Sequence, residues 1–297
     1  MNPLDGLELT RSFLVVAEEL SFRRGAERLN VDQSALTRRI QKIETILGFA
    51  LFERTTREVS LTPAGRVFYE ENVRLQQSFL NSVHASKLVA AGKTGTVRVA
   101  YMTFAAPDLM PHAVTAYRQR YPNVDLHLSY LRTEGQKLAL ARDEVDIGYM
   151  IGPFDHTEYH SVTVRREPLY VVSPLGHRLS GKENVQPADL TGEDMIFGDL
   201  HEWEAYRWHV SRLLNSSGIG LHIGTEASNV LAMVGLVKSG LGITICPASL
   251  VGYFGPETVA LPIQADGFEI ETALVWKRAN RARAVANFVE IASAKTP

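Results

Sequence analysis

Cysteine is nearly missing: Cys246 stands alone among 297 residues. That excludes an internal disulfide framework and fits a reducing compartment, so the expected location is the cytoplasm. No apolar run approaches the roughly 20 residues of a membrane span. The N-terminus also lacks the basic, apolar and small-residue order of a secretory leader, so neither membrane insertion nor export is expected. The signatures of common enzyme chemistry are absent: there is no Gly-x-Ser-x-Gly and no second cysteine. Gly92-Lys93-Thr94 copies the end of a phosphate loop, but Lys87 occupies the place of its first glycine and no strand precedes it. His201-Glu202-Trp203-Glu204-Ala205 opens like a zinc-protease helix, yet Ala205 fills the second histidine position and His209 comes four residues too late. Asp155 to His160 is rich in possible ligands but reads as a loop, where polar residues gather without any site. No catalytic residue, metal or cofactor is expected.

Excess charge of one sign is missing too. The formal net charge is −2, and residues 1–60 hold nine Lys/Arg against nine Asp/Glu. A generally basic nucleic-acid binder is thereby excluded, and any DNA contact must come from where the charges are placed. What is present is an ordinary globular composition, 45% hydrophobic and 22% charged, with length for two or three domains.

The most informative stretch runs from Asp32 to Gly48. Asp32 is the expected N-cap, accepting from the first turn through its carboxylate, and Gly48 the left-handed stop. Leu36, Ile40, Ile43 and Leu47 are spaced 4, 3 and 4, which makes one buried stripe. The opposite face carries Gln33, Ser34, Thr37, Arg38 and Lys42, side chains able to hydrogen-bond to base edges or phosphates. Ser21 caps a short helix over 22–29, and Asn30-Val31 turns into Asp32. Helix, tight turn, helix is the helix-turn-helix arrangement, whose second helix enters the major groove. A first helix, Leu7 to Glu19, offers Leu9, Phe13, Val16 and Ala17 to the core. Two short strands, 50–54 and 59–62, then flank the tip Thr55-Thr56-Arg57-Glu58, a wing whose Arg54 and Arg57 can reach phosphates.

Pro63 starts a long helix expected to run to about Ala91, with Phe68, Leu75, Phe79 and Val83 as an apolar stripe. A second copy of that helix is the economical partner, hence a homo-oligomer. From Thr96 strands and helices alternate. Strands are expected at 96–104, 124–131, 145–151, 161–166, 169–173, 195–197, 221–225, 242–246, 259–262 and 268–276; helices at 107–121, 134–142, 202–214, 230–238 and 282–292. The opening β-α-β-α-β order implies a parallel sheet, and two α/β units joined by two crossovers would leave a ligand cleft between them. Cys246 follows an apolar strand and reads as a buried, inert thiol.

Ala26 to Gly65 (AERLNVDQSALTRRIQKIETILGFALFERTTREVSLTPAG), Glu144–Met150, Glu167–Ser180 and Val237–Ser249 resemble the LysR-type transcriptional regulators, and the likeness covers essentially the whole chain. The resemblance implies an α/β fold class with an N-terminal winged helix-turn-helix over 1–62, a linker and dimerisation helix with hinge over 63–95, and an effector domain over 96–297. That last domain would have the type II periplasmic-binding-protein form, with subdomain I at about 96–166 and 268–297 and subdomain II at about 167–267. The implied function is sequence-specific binding of double-stranded promoter DNA by a homodimer or homotetramer, tuned by a small-molecule co-inducer, with RNA polymerase a candidate further partner. The implied DNA contacts are Arg23, Gln33, Ser34, Thr37, Arg38, Lys42, Arg54, Thr56 and Arg57. The implied effector positions are Met102, Thr103, Phe104, Thr133, Ile151, Asp199, His201, Trp203 and Cys246. Thr103 and Thr133 match positions used by members that respond to aromatic acids, whereas Ile151 stands where those members carry arginine; an aromatic or organic acid is the expected co-inducer. The rival expectation is a ligand-binding or enzymatic α/β protein whose N-terminal domain only mediates assembly.

Overall fold

The computed structural model describes residues 3–54 and 59–294, with the side chains of 3–7 and of Arg54 outside the description. The chain divides into two compact units, Met1–Lys87 and Leu88–Pro297.

In the first unit, α1 (Pro3–Glu19), α2 (Phe22–Leu29) and α3 (Gln33–Leu47) pack around Phe13, Val16, Leu36 and Ile40, all buried. Each such side chain contributes about 1.5–3 kcal/mol on burial. The Ser21 hydroxyl caps α2 by accepting from Arg24 N–H at 3.3 Å. Asn30 makes the turn with φ 52°. Asp32 corrects the sequence reading: its backbone is extended, as an N-cap requires, but its carboxylate accepts no capping hydrogen bond. Gly48 ends α3 at φ 80°, donating its N–H to the Glu44 carbonyl. The Glu44 carboxylate instead accepts from Leu51 N at 2.8 Å and Phe52 N at 3.2 Å. It thereby pins the antiparallel pair β1 (Phe52–Arg54) and β2 (Val59–Leu61) to the end of α3. Phe52 lies 5.5 Å from Phe13 ring to ring, and Phe68 of α4 (Pro63–Ala90) lies 5.1 Å from Phe13. Further along α4, Leu75 and Phe79 are 64% and 63% exposed, so the middle of its apolar stripe lies open in the single chain.

The second unit has two lobes. In the first, β3 (Gly95–Tyr101), α5 (Leu109–Arg120), β4 (Val124–Tyr130), α6 (Thr133–Ala141) and β5 (Ile147–Gly152) form the expected parallel core, with β3 between β4 and β5. β6 (Tyr159–Pro174) then leaves for the second lobe. There β7 (Met195–Gly198), α7 (Leu200–Ser216), β8 (Ile223–Ala227), α8 (Val230–Lys238), β9 (Thr244–Pro247), α9 (Ala248–Val251) and β10 (Thr258–Pro262) follow. β11 (Glu269–Lys277) and α10 (Arg283–Ser293) return to the first lobe.

Two elements depart from expectation. The strand forecast to Phe104 stops at Tyr101, and Thr103–Ala105 coils into a short 3-10 turn. The strands forecast at 161–166 and 169–173 are one, β6. Its first half pairs antiparallel with β11 as far as Pro168; from Leu169 it pairs with β9 and, from Tyr170, with β10. Pro168 lacks an N–H and belongs at a gap in a ladder, and it sits where β6 passes from one lobe's pairing to the other's. Gly92-Lys93-Thr94 lies in the turn after α4. A Cβ on Gly92, which has φ 64°, would stand 2.6 Å from Ala284 N, so this glycine serves a close approach to α10.

Candidate functional site

On the first unit, α3 turns Gln33, Ser34, Arg38 and Lys42 to solvent, on the face opposite Leu36, Ile40 and Ile43. Thr37 is half-buried and its hydroxyl donates to the Gln33 carbonyl at 2.9 Å, so toward DNA it offers lone pairs and a methyl rather than a free donor. The other arginines explain the near-neutral charge. Arg28 reaches Glu18 at 2.6 Å and Glu19 at 3.2 Å, Arg24 reaches Glu19 at 3.3 Å, and Arg39 reaches Glu8 at 2.7 Å. The acids of α1 thus neutralise cations on the back of the unit. Arg23 is exposed and 3.8 Å from Glu27. Arg38 has no ion-pair or hydrogen-bond partner among the described residues. The Arg54 side chain, Thr56 and Arg57 lie outside the described residues.

On the second unit, the C-terminal ends of β3, β4 and β5 open toward the start of α7. The recess between them spans about 410 Å³, its open mouth included. Of the effector positions read from sequence, Met102, Thr103, Phe104, Thr133, Ile151 and Trp203 line it. His201 stands at its edge. Asp199 and Cys246 do not line it. Asp199 caps α7, its Oδ1 accepting from Glu202 N at 2.8 Å. Cys246 is 2% exposed in β9, where burial pushes its thiol pKa up. The charged lining residues Arg132, Glu134, Glu202 and Glu204, and also Tyr130, Ala205 and Tyr206, were missed. Arg132 directly precedes α6 and was readable as a charge beside a helix start, but its partner lies far away in sequence.

The floor is aromatic. Phe104 packs on Tyr206 with centroids 4.9 Å apart and on Trp203 at 5.9 Å. Trp203 Nε1 donates to the Ser228 carbonyl at 3.2 Å and Tyr206 OH to the Ile245 carbonyl at 2.9 Å. Burial, with the Cys246 and Glu167 charges adding, raises the Tyr206 phenol well above its ordinary value, so it is a fixed donor. Trp203 interrupts α7 with φ −116° and ψ 15°. Gly198 makes room for it: a Cβ there would fall 1.9 Å from the indole Cγ.

The polar rim crosses between lobes. Arg132 Nη1 donates to His201 Nδ1 at 2.9 Å and also to the His201 carbonyl. With Nδ1 accepting, a neutral ring carries its proton on Nε2, which faces Glu202 Oε1 at 3.4 Å. Thr133 is 7% exposed; its Oγ1 accepts from Ile151 N at 3.3 Å, leaving the hydroxyl hydrogen free to donate. Behind the site, Arg165 holds Asp108 through paired 2.7 Å hydrogen bonds, which lowers the Asp108 pKa. Glu167, beside Pro168, accepts from Ser249 N at 2.7 Å and Oγ at 3.1 Å; burial dominates and raises its pKa. His209, the late histidine of the protease-like run, instead meets the Glu269 carbonyl at 2.7 Å. The run 155–160 is a loop only as far as Glu158, because β6 begins at Tyr159; in it His156 stacks near Phe154 and its Nδ1 accepts from Glu158 N at 3.2 Å. Among the described residues no three His, Cys, Asp or Glu side chains gather to hold a metal ion, and no helix is long and apolar enough to cross a membrane.

A helix-turn-helix with a strand pair behind it, on one chain with a two-lobed α/β unit holding a recess, is the architecture of a DNA-binding regulator that carries a small-molecule domain. Residues 7–66 match the family model described as bacterial regulatory helix-turn-helix protein, lysR family, and residues 90–296 match that of the LysR substrate binding domain. The chain belongs to the LysR family of transcriptional regulators. It is 27% identical over 281 residues to the HTH-type transcriptional regulator AlsR of Bacillus subtilis, covering 95% of this chain and 93% of that one. It is 30% identical over 281 residues to the uncharacterised HTH-type transcriptional regulator YnfL of Escherichia coli, covering 94% of each. A crystal structure of full-length CbnR complexed with its target DNA superposes with a TM-score of 0.77 at 24% identity, covering 96% of this chain and 97% of that one; this likeness carries the fold.

Proposed function

We propose that the chain is a sequence-specific regulator whose DNA affinity or spacing is set by a small organic acid held in the recess of the second unit. Residues 1–62 would carry the DNA contacts, 63–95 the dimerisation helix and hinge, and 96–297 the effector site, in the cytoplasm. The observation that carries this reading is the outward face of α3, where Arg38 has no ion-pair or hydrogen-bond partner among the described residues while Arg24, Arg28 and Arg39 are paired with acids of α1. Gln33, Ser34 and Arg38 would read base edges or phosphates, with Arg23 and the wing on adjacent phosphates. The exposed stripe of α4 supports pairing of two chains, which raises avidity on a two-half-site operator.

In the recess, the anionic end of the acid would meet Arg132, the Thr133 hydroxyl and the free N–H groups at the start of α6. Because Arg132 also holds His201 of the opposite lobe, a ligand there bears on how the lobes close. It is allosteric only if it discriminates between closure states. The test is a titration of the full chain with the DNA flanking its own gene and with unrelated DNA, at several salt concentrations. Site-selective binding with a steep salt slope supports the reading. Equal, weak binding to both DNAs contradicts it.

A further inference from the structure

The charges around the recess do not balance for a simple acid. Among the described residues Arg132 is the one cation in its lining, and its Nη1 is committed to His201; Nε and Nη2 donate to no other described group. Of the three lining carboxylates, Glu134 is paired with Lys137 at 2.6 Å, and Glu202 faces the His201 ring and lies against the Asp199-capped turn. Glu204 has no partner among the described residues. The recess therefore presents one anion-binding end, Arg132 with the Thr133 hydroxyl, and one uncompensated carboxylate. The floor of the recess is apolar: Met102, Phe104 and Trp203.

A ligand with a carboxylate and nothing cationic leaves Glu204 facing an added negative charge, and a dicarboxylate doubles the conflict. A ligand that carries an ammonium beside its carboxylate satisfies both ends, and an apolar side chain covers the floor. We infer that the effector is an amino-acid-like zwitterion with an apolar side chain, its carboxylate on Arg132 and Thr133 and its ammonium on Glu204. This rests on the reading of the recess as the effector site, and narrows the organic acid of that reading to one class.

The test uses the full chain and isothermal titration with the twenty common L-amino acids. The tightest binder is then compared with its deaminated acid and its decarboxylated amine; for L-leucine these are 4-methylpentanoate and isoamylamine, for L-phenylalanine 3-phenylpropionate and phenethylamine. The expected result is that the zwitterion binds best, about threefold to fivefold over the deaminated acid, the size of a rim charge contact. Arg132→Gln should weaken zwitterion and acid alike by about tenfold or more. Glu204→Gln, an exposed and unpaired position, should weaken only the zwitterion and leave melting unchanged. The inference is overturned if the deaminated acid binds as well as the zwitterion, if Glu204→Gln affects both equally, or if no amino acid binds. Site-selective DNA binding measured on the same preparation keeps the regulator reading standing in each of those cases, and its absence would remove that reading separately.

Discussion

Arg132 Nη1 lies 2.9 Å from His201 Nδ1 and also bonds the His201 carbonyl, so one guanidinium joins the start of α6 in the first lobe to the start of α7 in the second. The two residues are 69 apart in sequence. The contact crosses the mouth of the recess, so one guanidinium bears both on a bound anion, through Nε and Nη2, and on the closure of the lobes, through Nη1. Arg132→Gln should therefore loosen the first turn of α7 in the ligand-free protein. Amide exchange over 200–206 should speed up, with a loss of about 0.5–1.5 kcal/mol. Exchange in that turn at the wild-type rate would show that the contact holds nothing.

Gly198 and Trp203 form the second pairing on which the recess depends. A methyl group at 198 would land 1.9 Å from the indole Cγ, and the indole is held by the Ser228 carbonyl and by Phe104. Gly198→Ala should cost about 1–3 kcal/mol through overpacking, red-shift the tryptophan fluorescence and lower ligand affinity. Gly235, in the middle of α8 with nothing within 4 Å of a built Cβ, is the contrast: Gly235→Ala should raise stability by up to about 1 kcal/mol. Thermal melts of the two variants check both signs.

His209 gives the second unit a pH dependence. Burial lowers its pKa below the ordinary 6.5, outweighing the hydrogen bond with the Glu269 carbonyl. As pH falls, the unfolded chain takes up this proton before the native one. The contribution to stability is whole above about pH 6.5 and is lost progressively below it, through the folded value. Melting of wild type and His209→Gln at pH 7.5 and about 5.5 reads the effect: the wild-type advantage at the higher pH should shrink at the lower. A constant difference would mean that His209 does not titrate in folding.

The exposed apolar stripe of α4 predicts an assembly. Replacing Leu75 and Phe79, 64% and 63% exposed in the single chain, by serine should leave helix content unchanged and shift the mass in solution toward the monomer. DNA affinity should fall with it by about a hundredfold, the scale of lost avidity. Light scattering coupled to size exclusion reads the first effect and a DNA titration the second.

How much of this was legible in the sequence depended on range. The Val230–Lys238 helix was placed to the residue, and α3 between Asp32 and Gly48, because turn, stripe and stop are local signals. The Asp32 side chain still failed as a cap: a residue type that can cap does not fix a rotamer that does. Residues 161–166 and 169–173 read as two strands, since the hand-over of β6 from one ladder to another has no local signature. Met102, Thr103, Phe104, Thr133, Ile151 and Trp203 were brought together as the resemblance implied. Arg132, Glu202 and Glu204 were not legible in their roles, because only the fold sets β4 against α7. Cys246 was read two ways, as an inert core thiol and as an effector position, and its burial in β9 favours the first.

The central claim is that the outward face of α3 reads DNA, and Arg38 tests it most directly. The measurement is the affinity of Arg38→Ala for the DNA flanking the gene and for unrelated DNA, across a salt series, beside wild type and Arg39→Ala. Arg38 has no partner among the described residues, whereas Arg39 is held by Glu8 at 2.7 Å. The account predicts that Arg38→Ala loses about 1–3 kcal/mol of specific binding. It should lose less on unrelated DNA and keep the wild-type melting curve, while Arg39→Ala changes specificity little. Unchanged discrimination between the two DNAs in Arg38→Ala would contradict the assignment of this face.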